Sequence, residues 1–149
     1  FGDQEGYWVG RYSDATDINY DYFIGQGYFI LHCQNPYRHM PLLTYTGNSV
    51  TVTSELYKKL VIEEITGTVS STTEIRIRNS RTGQVISLKN LTGTGSFLLN
   101  KQTITINGQN VVNKLDPSVS TWKEFNIVSG DVLTITGLSN PTVKIRRYL

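Results

Sequence analysis

Short runs in which hydrophobic and polar residues alternate recur at nearly regular spacing along the chain, separated by turn residues. Ile75 and Ile77 follow this pattern, and so do Ile86 and Leu88 beyond the turn at Arg81–Gly83. A period of two residues is the pattern of a half-buried strand, and strands at such spacing are typical of sandwiches and barrels. The pattern therefore predicts an all-β, antiparallel fold in which these two runs form a hairpin.

A second hairpin is predicted where Ile104 and Ile106 lead into Asn107-Gly108, the strongest two-residue turn signal. The one helix-compatible piece is Ser54–Leu60. It is about two turns long, which is marginal without packing, so at most one helical turn is expected.

The carboxy-terminal stretch from Trp122 to Leu149 contains three further alternating runs. They are centred on Phe125 and Ile127, on Leu133 and Ile135, and on Val143 and Ile145. We expect these runs to form a three-stranded antiparallel end.

The first forty residues have a different pattern, rich in aromatic and two-sided apolar runs. Tyr7–Tyr12 predicts a strand, Asp14–Asp17 a turn, and Tyr28–Cys33 a strand covered on both faces. Pro36 and Pro41 then interrupt the chain, because proline cannot donate to a β-ladder. We therefore expect a short β-hairpin appendage at residues 1–40 and a sandwich at residues 41–149.

Composition and charge narrow the possible functions. The net charge of +2 is too small to indicate a nucleic-acid partner. Cys33 is the single cysteine, so neither an internal disulfide nor a four-cysteine zinc site can form. No run approaches the roughly twenty apolar residues that span a bilayer, so no membrane partner is expected. Because the chain begins with Phe1 rather than Met, we expect it to be a processed product or a fragment.

Residues of the types used in catalysis and metal binding are present but are not expected to converge. His32 and Cys33 are neighbours on a predicted strand, and so are Glu63 and Glu64. The side chains of each pair are therefore expected to point to opposite faces. A metal ion or a glycosidase mechanism needs such groups to face one another. We predict no metal site, no cofactor and no enzymatic activity.

Basic residues are concentrated in two places. Arg76, Arg78 and Arg81 lie on one predicted hairpin, and Lys144 and Arg146 lie near the end of the chain. We interpret both groups as protection of sheet edges, with contact to an acidic cell-wall polymer as the alternative.

Aromatic residues suggest two kinds of binding surface. Trp8, Tyr12 and Tyr28 lie on the short amino-terminal segment, which could hardly bury them alone, so a protein–protein interface is predicted there. Trp122 is the candidate carbohydrate contact, since flat rings bury large area at low entropic cost. If Trp122 contacts carbohydrate, the chain would be a non-catalytic β-sandwich that recognises a cell-wall polysaccharide, and we keep this as the alternative function. The loop Asn113–Thr121 is either a contact element or a mobile connection.

The same motifs, taken in order, resemble the distal tail protein family of siphophages, the bacteriophages with long non-contractile tails. The resemblance lies in the hairpin from Ile75 to Leu88, the turn Thr103–Gly108, the stretch Trp122–Gly137 with its Ser129-Gly130-Asp131 turn, and the basic, aromatic end Lys144–Leu149. Upstream, Tyr7–Tyr12 and the junction Cys33–Tyr37 are similar to the end of the family's ring-forming domain.

The resemblance implies a galectin-like, jelly-roll type sandwich at residues 41–149 and the last strands of a ring-forming domain at residues 1–40. It implies a structural virion protein of the tail tip or baseplate, made in the host cytoplasm and hexameric in its full-length form. The expected partners are the tail tube and the tail-associated or receptor-binding proteins, with a host cell-wall saccharide as a further possibility. Sugar binding does not follow from the galectin-like label, so Trp122 is interpreted first as a packing residue.

Overall fold

The computed structural model describes residues 38–54, 59–70 and 74–149, together with the backbone of four short strands among the first 37 residues. The described strands are β1 Arg11–Ala15, β2 Asn19–Asp21, β3 Ile24–Gln26, β4 Phe29–His32, β5 Leu43–Thr46, β6 Ser49–Thr51, β7 Lys59–Val69, β8 Glu74–Asn79, β9 Val85–Lys89, β10 Gly95–Asn100, β11 Ile104–Ile106, β12 Gln109–Asn110, β13 Val132–Thr136 and β14 Ser139–Tyr148. Two 3-10 helical turns, Val112–Lys114 and Trp122–Glu124, interrupt the chain between β12 and β13.

Strands β5 to β14 form two antiparallel sheets. The larger has six strands in the order β12-β11-β10-β7-β14-β5, and the smaller has four in the order β6-β13-β8-β9. Side chains that alternate along each strand meet between the sheets, where one buried cluster includes residues of both. Ile65 and Ile145 enter it from the larger sheet and Ile77 from the smaller, each with no exposed area. The predicted all-β antiparallel sandwich is confirmed.

Both predicted hairpins are confirmed. In β8 and β9, Ile75 pairs with Leu88 and Ile77 with Ile86. The Asn107-Gly108 turn joins β11 to β12, and both of its residues have positive φ angles, +49° and +76°. A two-residue turn with this backbone matches the right-handed twist of the strands that it joins.

The expected three-stranded end is wrong in two respects. Phe125 lies outside any strand, and Ile127 makes only an isolated bridge to Leu60. Strands β13 and β14 do not pair with each other, because β13 lies between β6 and β8 in the smaller sheet and β14 lies between β7 and β5 in the larger. The alternating pattern identifies a strand but not the sheet that it joins.

The turn at Gly137 carries the chain from one sheet to the other. Its φ of +83° belongs to the left-handed region, and a Cβ there would lie 2.2 Å from the carbonyl oxygen of Glu74. Only glycine allows this close crossing. The side-chain amide of Asn48, in the turn between β5 and β6, donates to the carbonyl oxygens of Ile135 and Leu138 at 3.0 Å each. One asparagine thus ties together the two turns that change sheets.

The helix-compatible piece is a strand at its carboxy-terminal end, since Lys59 and Leu60 begin β7. Residues 55–58 lie outside the described residues.

The amino-terminal strands pair as a nested hairpin. Strand β1 pairs with β4 and β2 with β3, both antiparallel, which confirms the predicted hairpin appendage. The turn expected at Asp14–Asp17 is wrong for Asp14 and Ala15, which remain in β1 and pair with Ile30 and Phe29, and residues 16 and 17 lie outside the described residues. Residues 7–10 of the predicted strand Tyr7–Tyr12 lie outside the described residues, whereas Arg11 and Tyr12 belong to β1.

Residues 38–40 pair with the end of β14. The amide of Arg38 donates to the carbonyl of Leu149 at 2.9 Å, and Met40 donates to Arg147 at 3.0 Å. The rings of His39 and Tyr148 meet edge-on, with centroids 4.7 Å apart. These residues therefore lengthen the larger sheet, whereas the domain boundary expected at residue 40 stays a prediction.

The loop Asn113–Thr121 covers the outer edge of the smaller sheet. Ser120 forms a bridge to Val85, and its hydroxyl oxygen accepts from the amide of Ser87 at 3.0 Å. Asp116 receives hydrogen bonds from Lys89 and from Ser118, which lower its pKa to about 2. The loop is thus bound along β9, so it is not a free connection.

Candidate functional site

The predicted protein interface falls on the amino-terminal segment, of which the structure describes only the backbone of four short strands. Trp8 and Tyr28 lie outside the described residues. Tyr12 lies in β1, where its backbone is opposite Leu31, but its side chain is outside the described part. An interface at these residues stays a prediction.

The Ser129-Gly130-Asp131 turn is built around a buried carboxylate. Asp131 has a fully buried side chain and receives a hydrogen bond from the side-chain amide of Asn79 at 2.6 Å and another from the amide of Val128 at 3.0 Å. The guanidinium of Arg81 donates to both carboxylate oxygens through Nε and Nη2. The turn thus joins β8 to the segment before β13.

The charge of Asp131 is held by these donors. Burial alone would raise the pKa of its carboxyl group, but the hydrogen bonds from Arg81, Asn79 and Val128, with the positive charge of Arg81, outweigh burial. The pKa therefore lies below its usual value. A buried carboxylate with three donors is a structural anchor, and the expected role of Arg81 in protecting a sheet edge is replaced by this one.

Trp122 is held against the core. It lies in the 3-10 turn Trp122–Glu124 and is half-buried, and its ring packs on the buried cluster. Its indole Nε1 donates to the carbonyl oxygen of Asn100 at 3.1 Å. This is the geometry of a packing residue, while carbohydrate contact at Trp122 stays a prediction.

A cleft of about 290 Å³ lies beside Trp122. Its apolar lining comes from both sheets and from the 3-10 turn, and includes Leu60, Ile62, Ile86, Leu99, Trp122 and Phe125. Its polar lining comes from Asn100, Asn126 and three lysines, Lys59, Lys101 and Lys123. We call it the Trp122 cleft.

The rim of the Trp122 cleft carries charge of one sign. Lys59, Lys101 and Lys123 are all exposed. None of them has an ion-pair partner among the residues that the structure describes, and no described carboxylate lines the cleft. Three ammonium groups around one apolar cavity attract a ligand that carries negative charge.

The three lysines were not singled out in the sequence, and no local signal marks them. They lie at the start of β7, just after β10 and within a 3-10 turn, so only the fold brings them together. A sequence pattern indicates which residues are neighbours along one element, whereas these three lysines come from three different parts of the chain.

Glu63 and Glu64 do not point to opposite faces as expected. A bulge in β7 leaves Lys144 opposite Glu64 and Ile145 opposite Ile62, so Glu63 has no partner of its own in the register. The bulge turns both carboxylates to the outer face, where Glu64 meets Lys144 at 2.9 Å and Glu63 meets Arg146 at 3.7 Å.

The basic residues do not protect sheet edges. Arg76 and Arg78 lie on β8, which is flanked by β13 and β9, and Lys144 and Arg146 lie on β14, which is flanked by β7 and β5. Arg76 and Arg78 are exposed on the outer face of the smaller sheet and have no ion pair among the described residues. All four residues lie on central strands, so the interpretation that they protect sheet edges is wrong.

Within the described part of the chain, no group of three histidine, cysteine, aspartate or glutamate residues could hold a metal ion. A search of those residues for a helix long and apolar enough to cross a membrane found none.

Comparison with solved structures gives an informative match. No protein-family model and no curated protein sequence matches the chain. Among solved structures, the SPP1 Dit (gp 19.1) protein is similar over 97% of this chain, with a TM-score of 0.76 and 19% sequence identity. The chain has the fold of the matching part of SPP1 Dit. This confirms, at the level of the fold, the resemblance to distal tail proteins that the ordered motifs indicate.

SPP1 Dit is described as a paradigm of the hub adsorption apparatus in phages that infect Gram-positive bacteria. The present chain corresponds to 60% of the length of that protein. At 19% identity the similarity to SPP1 Dit establishes a shared architecture, and the role of this chain follows as a proposal.

Proposed function

We propose that the chain is a structural component of a bacteriophage tail, part of a distal tail hub that links the tail tube to the baseplate and to receptor-binding proteins. The observation that carries the proposal is the similarity to SPP1 Dit across nearly the whole chain. A sandwich domain alone is shared by many unrelated functions. A match that includes the amino-terminal segment as well as the sandwich is more specific than a match of the sandwich alone.

The proposed role is non-catalytic. Ion pairs and the buried carboxylate of Asp131 stabilise the sandwich, and the described acidic residues do not form a pair facing across the Trp122 cleft. We infer that the chain acts by binding other tail proteins.

In the full-length protein we propose a hexameric ring in the virion, at the tail tip, assembled after synthesis in the host cytoplasm. Residues 1–40 would contribute to the ring and residues 41–149 would form the peripheral sandwich. Trp8, Tyr12 and Tyr28 would belong to the protein interface.

The experiment that tests the hub role uses the full-length gene product. Purified particles are examined by mass spectrometry and by immunogold labelling with an antibody to the sandwich, and the isolated product is examined by electron microscopy. We expect the protein in the particle, gold at the tail tip, and six-fold rings. A monomeric product that is missing from purified particles would refute the hub role.

A further inference from the structure

The Trp122 cleft combines an apolar floor with a basic rim, and the packing of the sandwich does not require this combination. Its floor is apolar and reaches the core between the sheets, through Leu60, Ile86 and Leu99. Its rim carries Lys59, Lys101 and Lys123 without ion-pair partners among the described residues. A ligand that matches both parts needs an apolar group and negative charge around it.

The polar groups of the cleft fit a neutral sugar poorly. Sugar hydroxyls need acceptors as well as donors, and no described carboxylate lines the cleft. The side-chain oxygen of Asn100 already accepts from the amides of Gln102 and Thr103 at 2.8 and 2.9 Å. The indole N–H of Trp122 is occupied by a backbone carbonyl. The polar side chains of the cleft that remain available to a ligand are therefore mainly the three lysines.

The size of the cleft sets a second limit. A volume of about 290 Å³ is near the lower end for ligand pockets, and it accommodates one large side chain with parts of its neighbours. It is too small for the apolar face of a whole helix, which places several anchors along a groove. The occupant is therefore a short extended segment with a single anchor.

We propose that the Trp122 cleft binds an acidic segment of a partner protein, which inserts one large apolar or aromatic side chain beside Trp122 while flanking carboxylates pair with Lys59, Lys101 and Lys123. The identity of the partner as another tail protein rests on the proposed hub role. The chemistry of recognition rests on the cleft alone. Charge complementarity at the rim supplies orientation, and burial of the anchor supplies most of the affinity.

The test uses short capped peptides and the indole resonance of Trp122 in nitrogen–proton correlation spectra of the whole chain. The chain has two tryptophans, so the Trp8→Phe variant assigns the signal. The probe has a central phenylalanine with two acidic residues on each side. We expect a saturable shift of the Trp122 signal with a dissociation constant of about 1 mM or tighter, weakened by added salt.

Control peptides separate the two parts of the recognition. Replacing the central phenylalanine by alanine tests the anchor, and replacing the acidic residues by lysines tests the charge. Both changes are expected to weaken binding by about tenfold or more. A neutral oligosaccharide and a uronic-acid oligosaccharide are titrated in parallel and are expected to leave the Trp122 signal unchanged.

Matched variants test the rim. The double variant Lys101→Gln, Lys123→Gln removes two charges at the cleft and is expected to bind the acidic peptide about tenfold more weakly. The double variant Arg76→Gln, Arg78→Gln removes the same charge from the outer face of the smaller sheet and is expected to bind normally. These are exposed side chains, so both variants should retain dispersed spectra.

Three outcomes would overturn the proposal: no shift with the acidic peptide, equal binding after both double substitutions, or a response to an oligosaccharide in place of the peptide. The last outcome would favour a carbohydrate site. None of them bears on whether the protein is found in the particle, so failure of the cleft proposal is distinguishable from failure of the hub role.

Discussion

Asp131 is a charged side chain enclosed on all sides by the sandwich. Its carboxylate is stable there because Asn79, Arg81 and Val128 donate to it. Removing one of these donors lowers the free energy of unfolding by more than the net contribution of one hydrogen bond, because a desolvated polar atom is left without a partner. The resemblance to distal tail proteins marked this turn, but the sequence alone did not show that Asp131 is buried.

Asp131→Asn is expected to destabilise the fold by about 2–4 kcal/mol, because the ion pair with Arg81 is lost and an amide nitrogen replaces an acceptor. Chemical denaturation monitored by circular dichroism measures the change. Glu124→Gln is the matched control, at an exposed carboxylate without an ion pair among the described residues, and is expected to cost much less. Equal losses in the two variants would contradict the structural role of Asp131.

Stability is expected to fall at acid pH. The pKa of Asp131 is lower in the folded state than in the unfolded state, so its contribution is fully present above the unfolded value of about 3.9 and is lost as the pH falls through the folded value. Denaturation midpoints between pH 7 and about pH 2 measure this dependence. In Asp131→Asn the decline should be shallower. A parallel decline in both proteins would assign it to other groups.

At the scale of elements, the sequence predicts strands more reliably than their partners. Alternating residues identified β8, β9, β13 and β14, because burial on one face imposes a period of two. They did not show that β13 and β14 lie in different sheets, since the crossing depends on Gly137 and Asn48 rather than on strand composition.

The candidate site was harder to predict for a related reason. Trp122 was identified from its residue type, but the cleft beside it also requires lysines from distant elements. The bulge at Glu63 and Glu64 likewise has no sequence signal, because it is a mismatch in register between two strands.

Gly137→Ala is expected to destabilise the protein by about 3 kcal/mol, since it combines left-handed backbone strain with a clash against the backbone of Glu74. Thermal or denaturant unfolding measures the loss. Gly83→Ala is the control, because Gly83 also has a positive φ but its Cβ would meet open space. It should cost only about 1 kcal/mol. Similar losses would show that close packing at the crossing turn is unimportant.

At the scale of the whole molecule, residues 38–40 lengthen the larger sheet beside the end of β14. Residues 38–40 make three backbone hydrogen bonds with residues 147 and 149 and bury Met40. These gains are partly offset by the entropy of ordering three residues, about 1–2 kcal/mol each.

A chain of residues 38–149 is therefore expected to be more stable than one of residues 41–149, by about 1 kcal/mol or about 5 °C in melting temperature. Calorimetry of the two truncated chains tests this. Substituting Met40 with alanine in the longer chain separates the loss of side-chain burial from the loss of backbone pairing. Identical melting temperatures for the two chains would place the boundary at residue 41 after all.

The bulge in β7 has a consequence for how copies of the protein can be arranged. It brings Glu63 and Glu64 beside Arg146 and Lys144, so these four charges cancel on one broad side of the sandwich. On the opposite side, Arg76 and Arg78 are exposed and have no ion pair among the described residues. An acidic surface is therefore attracted more strongly to the side with Arg76 and Arg78. The two broad faces of the sandwich therefore differ in charge. Copies that pack against one another through these faces would have a preferred orientation.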